Sequence, residues 1–130
     1  MSLPGDDILF LPVTELSARI KSRHLSPVDL TEGYLARIAT FGPRLNAFAR
    51  VSPERARAEA RAAETEIARG RYRGPLHGIP YGAKDLFATA GIATEWGTTA
   101  CAGQMFERDA TVVRRLSEAG AVLLDRKTHV

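Results

Sequence analysis

The chain has 130 residues, 15 Arg against 3 Lys, a net charge of +3 and one cysteine, Cys101, so an internal disulfide is excluded and a reducing compartment fits. With 45% hydrophobic and 25% charged residues the composition is that of an ordinary globular chain, and the length favours one domain able to bury roughly two-thirds of its unfolded surface. Ile8-Leu-Phe-Leu11, preceded by Asp6 and Asp7, is too short and wrongly charged for a secretory leader, and no apolar run reaches membrane-spanning length; a cytoplasmic location is expected.

Taken in chain order, the first half reads as helix. Thr14 is placed to cap a segment running to about His24, with Leu16 and Ile20 on one face. Ser26-Pro27-Val28-Asp29 is a stronger start, with Ser as cap, Pro in the first turn and an acid at the positive helix end. Leu30, Tyr34, Ile38 and Phe41 then recur at helical spacing, Gly33 weakens the helix by up to about 1 kcal/mol, and Gly42-Pro43 is expected to end it. Ser52-Pro53 opens a third helix in the same way. Its stripe of Ala56, Ala60, Ala63 and Ile67 is slim, which implies close approach to a neighbour, and Gly70 closes it.

Between Gly70 and Gly103 lie 7 of the 11 glycines, which argues against helix there. Ile79-Pro80-Tyr81-Gly82-Ala83 reads as a short strand whose proline restricts pairing on one side, and Ala90–Thr94 as a turn into a second extended segment. Asp109 is expected to cap a helix carrying Val112, Val113, Leu116 and Ala119, ended by Gly120. Ala121-Val-Leu-Leu124 is continuously apolar, the mark of a strand buried on both faces. Helix, short linker and all-apolar strand together give an α/β fold class. Trp96, Tyr81 and Phe87 are expected in the core.

Lys84 follows a short apolar run between glycine and proline, and on the residues alone a lysine beside an aspartate after a strand most often reads as a structural or solvated ion, with a catalytic base as the alternative. This chain answers most needs for positive charge with Arg, which keeps its proton at any useful pH; a lysine becomes a general base where burial depresses its pKa. Asp85 would point to the opposite face of a strand from Lys84, as a structural hydrogen-bond acceptor. His77 reads as a packed, hydrogen-bonding residue, Cys101 as a buried thiol, and His24 and His129 show no metal spacing. Seven arginines from Arg50 to Arg73 (Arg50, Arg55, Arg57, Arg61, Arg69, Arg71 and Arg73) face four glutamates (Glu54, Glu59, Glu64 and Glu66). That run reads as a solvated helix face of mixed sign, and nucleic acid is not the expected partner.

His77-Gly-Ile-Pro-Tyr-Gly-Ala-Lys-Asp85, followed by Thr89-Ala-Gly-Ile-Ala-Thr94 and Trp96-Gly97, resembles the lysine segment of the amidase signature family. These Ser–Ser–Lys amide hydrolases include the glutaminase component of tRNA-dependent amidotransferase. More loosely, the resemblance extends from Val13 to Val130. It implies that Lys84 is the triad lysine, acting through a bridging serine on a nucleophilic serine, with no cofactor and no metal. It also implies a fold in which N-terminal helices (13–70) lead into the lysine segment (74–99) and a helix plus buried strand (109–124). These would be the first strands of an α/β/α mixed-sheet domain, incomplete in residues 1–130.

By the same resemblance both serines and the oxyanion donors lie in a Gly/Ser-rich stretch downstream of Gly120–Leu124. None of Ser2, Ser17, Ser22, Ser26, Ser52 and Ser117 sits in a glycine-rich loop. Without nucleophile and oxyanion donors the expected result is an N-terminal fragment of a carboxamide hydrolase, inactive alone. Two alternatives are a split-enzyme half needing a partner chain, and a non-catalytic binding module with a basic helix. The complete enzyme would take a small-molecule amide. A complementing chain or a homo-oligomer would cover exposed strand edges, which makes a marginally stable chain the expectation when it stands alone. After Leu124 the family runs into a Gly-Lys-Thr-like turn, whereas Asp125-Arg126-Lys127-Thr128 is one residue longer and lacks the glycine, which unsettles the register there.

Overall fold

The computed structural model describes residues 2–127. Five helices and three strands follow in the order α1 (Asp6–Leu9), α2 (Val13–Lys21), α3 (Pro27–Leu45), β1 (Phe48–Val51), α4 (Pro53–Ala68), β2 (Pro80–Lys84), α5 (Thr111–Glu118) and β3 (Val122–Lys127), with a 3-10 turn at Thr99–Cys101. The sheet is mixed, in the order β1-β3-β2: β2 runs parallel to β3 and β1 antiparallel to it. This is the expected α/β class, with a β2–α5–β3 crossover supplying the parallel pair.

Helix α3 forms where the Ser-Pro start predicts it. Ser26 Oγ accepts the backbone N–H groups of Val28 and Asp29, each at 3.1 Å. Contrary to the sequence expectation, α3 runs through Gly42-Pro43. A proline this close to the C-terminus removes one hydrogen bond from the last turn only, and Asn46, left-handed at φ 48°, closes the helix by donating its N–H to Gly42 O at 2.7 Å. The other expected caps are corrected too. Thr14 lies inside α2, Ser52 makes no side-chain capping bond, and Asp109 Oδ1 instead accepts the N–H of Ala90 at 2.8 Å.

Two buried clusters lie against one another. Leu9, Leu16, Ile20, Leu30, Ile67 and Ile79 join α1, α2, α3, α4 and the approach to β2. Leu35, Ala56, Ala60, Val122 and Leu124 join α3 and α4 to the sheet. The alanine stripe of α4 is fully buried and brings α4 close to α3 and β3, as its small side chains require. Close approach also lets Glu59 of α4 accept the Leu123 N–H at 2.8 Å, satisfying a strand donor that β1 does not reach.

Strand β3 continues past Leu124 to Lys127 and carries a bulge against β2. Tyr81 pairs with Leu123 and Gly82 with Asp125, so Leu124 has no partner on β2. A compensating irregularity on β1 pairs Phe48 with Lys127 and Arg50 with Arg126. The short strand β1, inside the stretch read as helical, is mostly exposed. Trp96 and Phe87 are corrected as core residues: they are 46% and 42% exposed, and Tyr81 is half-buried. His129 and Thr128 lie outside the described residues.

Candidate functional site

Lys84 is the last residue of β2. Pairing with β3 fixes its backbone, and alternation along the strand buries Ala83 while leaving the side chain of Lys84 exposed. Among the described residues its ammonium group makes no hydrogen bond or ion pair. These residues therefore fix where the side chain of Lys84 starts and leave it exposed.

Asp85 points inward as expected. It is buried and accepts the N–H of Glu95 on both carboxylate oxygens, at 3.2 and 3.3 Å. Arg126 Nη2 stands 3.5 Å from Asp85 Oδ1 and donates to Thr94 Oγ1 at 2.9 Å, while Nη1 donates to Thr89 Oγ1. One fully buried guanidinium thus ties three points of the segment after Lys84 to β3. Burial lowers the pKa of Arg126, against the pull of Asp85 in the other direction. Arg126 lies two residues beyond the apolar run that marks β3 in the sequence. Its only signal there is an unexplained Asp-Arg pair abutting a strand.

The bulge at Leu124 turns Asp125 inward as well. Its Oδ1 accepts the N–H of Arg126, its Oδ2 is buried without a partner, and burial pushes its carboxyl up to about 7. Half-buried Tyr81 is pushed up to about 12, first by burial and then by the Glu59 charge.

Beyond Asp85 the chain forms a loop closed at its neck by reciprocal bonds. Thr94 N–H donates to Gln104 O at 2.8 Å, and Gln104 Nε2 donates to Thr94 O at 3.0 Å. Inside the loop Glu95 accepts from Gly103 N–H at 2.8 Å and from Arg50 of β1 at 2.7 Å. The Gly103 amide, then Arg50, hold its carboxyl below the usual carboxylate range. Trp96 at φ 54° occupies left-handed backbone that a bulky residue rarely adopts. Asn46, Ala49, Asp85, Glu95, Gly97 and Thr98 are among the residues lining a polar cavity of about 360 Å³ that begins one residue after Lys84. Two more apolar grooves, of about 600 and 320 Å³, run along α3 and do not include Lys84.

His77 is buried and hydrogen-bonded, as its sequence context suggests, and Cys101 is half-buried in the 3-10 turn. Three of the six serines are engaged elsewhere: Ser17 Oγ is 3.1 Å from Tyr72 Oη, Ser22 Oγ donates to Arg19 O at 3.1 Å, and Ser26 caps α3. Within the arginine-rich run, Arg55 pairs with Glu59, Arg57 with Glu32 and Arg73 with Glu66, so much of that charge is matched on the chain itself. Among the described residues no cluster of His, Cys, Asp and Glu is arranged to hold a metal ion, and no helix is long and apolar enough to cross a membrane.

Comparison with known proteins agrees with this arrangement. The chain is 45% identical over 124 residues to a putative amidase, AmiD, of Mycobacterium tuberculosis, covering 95% of this chain and 26% of that protein. It is 41% identical over 126 residues to the A-type subunit of glutamyl-tRNA(Gln) amidotransferase from an Anaeromyxobacter species, covering 97% and 26%. Among solved structures, the native peptide amidase of Stenotrophomonas maltophilia superposes with a TM-score of 0.85 at 41% identity, over 91% of this chain and 24% of that one. The chain therefore spans about a quarter of the length of the relatives it matches. With the amidase family model matching residues 29–128, and with the lysine segment folded as a strand of a mixed sheet, this chain belongs to the amidase family.

Proposed function

We propose that this chain carries the lysine of an amide-hydrolysing centre and that residues 1–130 do not hydrolyse amides by themselves. In the complete reaction the free amine of Lys84 takes a proton from a bridging serine. That serine takes one from the nucleophilic serine as the latter's oxygen bonds to the amide carbon, and the proton passes to the departing nitrogen as the C–N bond breaks; water then attacks the acyl-serine ester, releasing the acid and returning a proton to the serine oxygen. The observation that carries this reading is the unbroken His77–Asp85 motif, with Lys84 exposed at the end of a strand, one residue before the lining of a cavity begins at Asp85. The six serines offer no nucleophile there, and the exposed lysine needs further protein to shield it.

A chimaera tests both halves. Residues 13–124 of this chain replace the matching segment of the mycobacterial relative, and hydrolysis of a simple carboxamide is followed. The chimaera is expected to be active and Lys84→Ala inactive, while the 130-residue chain alone shows no turnover. An active Lys84→Ala chimaera removes the lysine from the mechanism. Turnover by the isolated chain that disappears in Lys84→Ala refutes its incompleteness.

A second reading, a split-enzyme half, is favoured by the uncovered apolar grooves along α3, where Phe41 and Leu45 are exposed. It predicts that a separate chain bearing the two serines restores activity on mixing. The nucleic-acid module is the weaker alternative, since its arginines are matched by glutamates; binding that falls steeply with added salt would revive it.

A further inference from the structure

We propose that His77 is a pH-sensitive fastening: while its ring is neutral it holds the leading end of the lysine strand to the turn after α5, and it lets go in mildly acidic solution. The ring is 1% exposed and its Nδ1 accepts the backbone N–H of Arg73 at 3.0 Å. Nδ1 is therefore unprotonated, and the neutral ring carries its hydrogen on Nε2, 3.3 Å from Glu66 Oε2. Gly120, left-handed at φ +81°, lies directly on the ring: a Cβ there would stand 2.3 Å from His77 Cδ2. Immediately beside this contact the backbone of β2 is stitched to the far turn. Gly78 N–H donates to Gly120 O and Val122 N–H to Ile79 O, both at 2.9 Å.

A second proton on the ring would sit on Nδ1 and confront the Arg73 N–H, two donors face to face, in a space that Gly120 leaves no room to widen. The charged and titratable groups around the ring come from each packed element. From α4 come Glu66, whose carboxylate is taken bidentately by Arg73 at 2.6 and 2.7 Å, and Glu59, which lines the same small cavity. From the connecting loop come Arg73, which also donates to the Ser117 and Glu118 carbonyls, and Tyr72, its ring centroid 6.1 Å away. On α5 the Glu118 carboxylate is turned away to Arg114. Glu66 favours a charged imidazole, but burial, the largest influence, and Arg73 oppose it and hold the ring below the ordinary histidine value.

The sign follows. A histidine depressed in the folded state contributes its full stability above the unfolded value of about 6.5, and the closed state is lost by up to about tenfold per pH unit as pH falls below it. This holds whether or not Lys84 acts as a base, so the two readings fail independently.

The test uses the full 130-residue chain, labelled with nitrogen-15, from pH 7.5 to 5. Long-range imidazole correlations should show His77 as the Nε2–H tautomer, titrating below the ordinary histidine value of about 6.5. Amide exchange at Gly78 and Val122 should accelerate by up to about tenfold per unit below pH 6.5 relative to its intrinsic rate, while Leu35 in α3 shows no acceleration on acidification. Glu66→Gln should lower the titration of His77 further, and His77→Gln should abolish the acid acceleration. The proposal is overturned by an Nδ1–H tautomer, by titration of His77 at or above about 6.5, or by acid-accelerated exchange that survives in His77→Gln.

Discussion

The strand carrying Lys84 starts in a closed joint, where His77, Glu66, Arg73 and Gly120 fit within contact distance, and finishes against a loop whose Leu86, Phe87 and Trp96 face outward. At the closed end every partner comes from within the chain. At the open end only the inner layer is built, with Arg126 gripping Asp85, Thr89 and Thr94 beneath an uncovered surface. On the proposed role of Lys84, the difference separates two tasks: these residues set where its side chain starts and leave its surroundings uncovered. Positioning needs backbone pairing and buried polar ties, both present here; tuning needs desolvation, which these residues do not give Lys84.

Four substitutions sharpen this contrast. Arg126→Ala should be the most damaging, at about 3–5 kcal/mol in denaturant unfolding, because it leaves Asp85 buried without its cation. Gly120→Ala should cost about 2–4 kcal/mol, from left-handed strain plus the clash with His77. Next comes Asp125→Asn, with the opposite sign. An acid whose folded pKa is raised to about 7 weakens the fold progressively as pH climbs from about 4, so the variant should be about 1–3 kcal/mol more stable than the parent at pH 8 and indistinguishable near pH 4. Smallest is Lys84→Ala, which should change stability by no more than about 0.5 kcal/mol, since its side chain is exposed. A large loss there would mean that the lysine is a structural residue.

The sequence exposes features whose cause is local. Ser26-Pro27, the Ala56/Ala60/Ala63 stripe and the Ala121–Leu124 run each state their element because capping, helical spacing and full burial act over a few neighbouring residues. What escaped depends on distant partners. Asp109 looks like a helix cap and serves Ala90 instead. Strand β1, exposed on an edge, has no alternation to betray it, and α1 spans only one turn. Trp96 and Phe87 look like core because they are large and apolar, but covering them takes surface that residues 2–127 do not provide. Around the candidate site, the motif singled out Lys84, which the fold puts at the end of β2, and strand alternation anticipated the inward turn of Asp85. Arg126 was not, because nothing local tells a buried guanidinium from a solvated one.

The bulge at Leu124 carries a consequence for the strand beyond it. A single extra residue on β3 shifts its alternation against β2 from that point on. Asp125 and Arg126 are consecutive and both fully enclosed, so both faces of β3 are covered there and each charge must find its counterweight inside the fold.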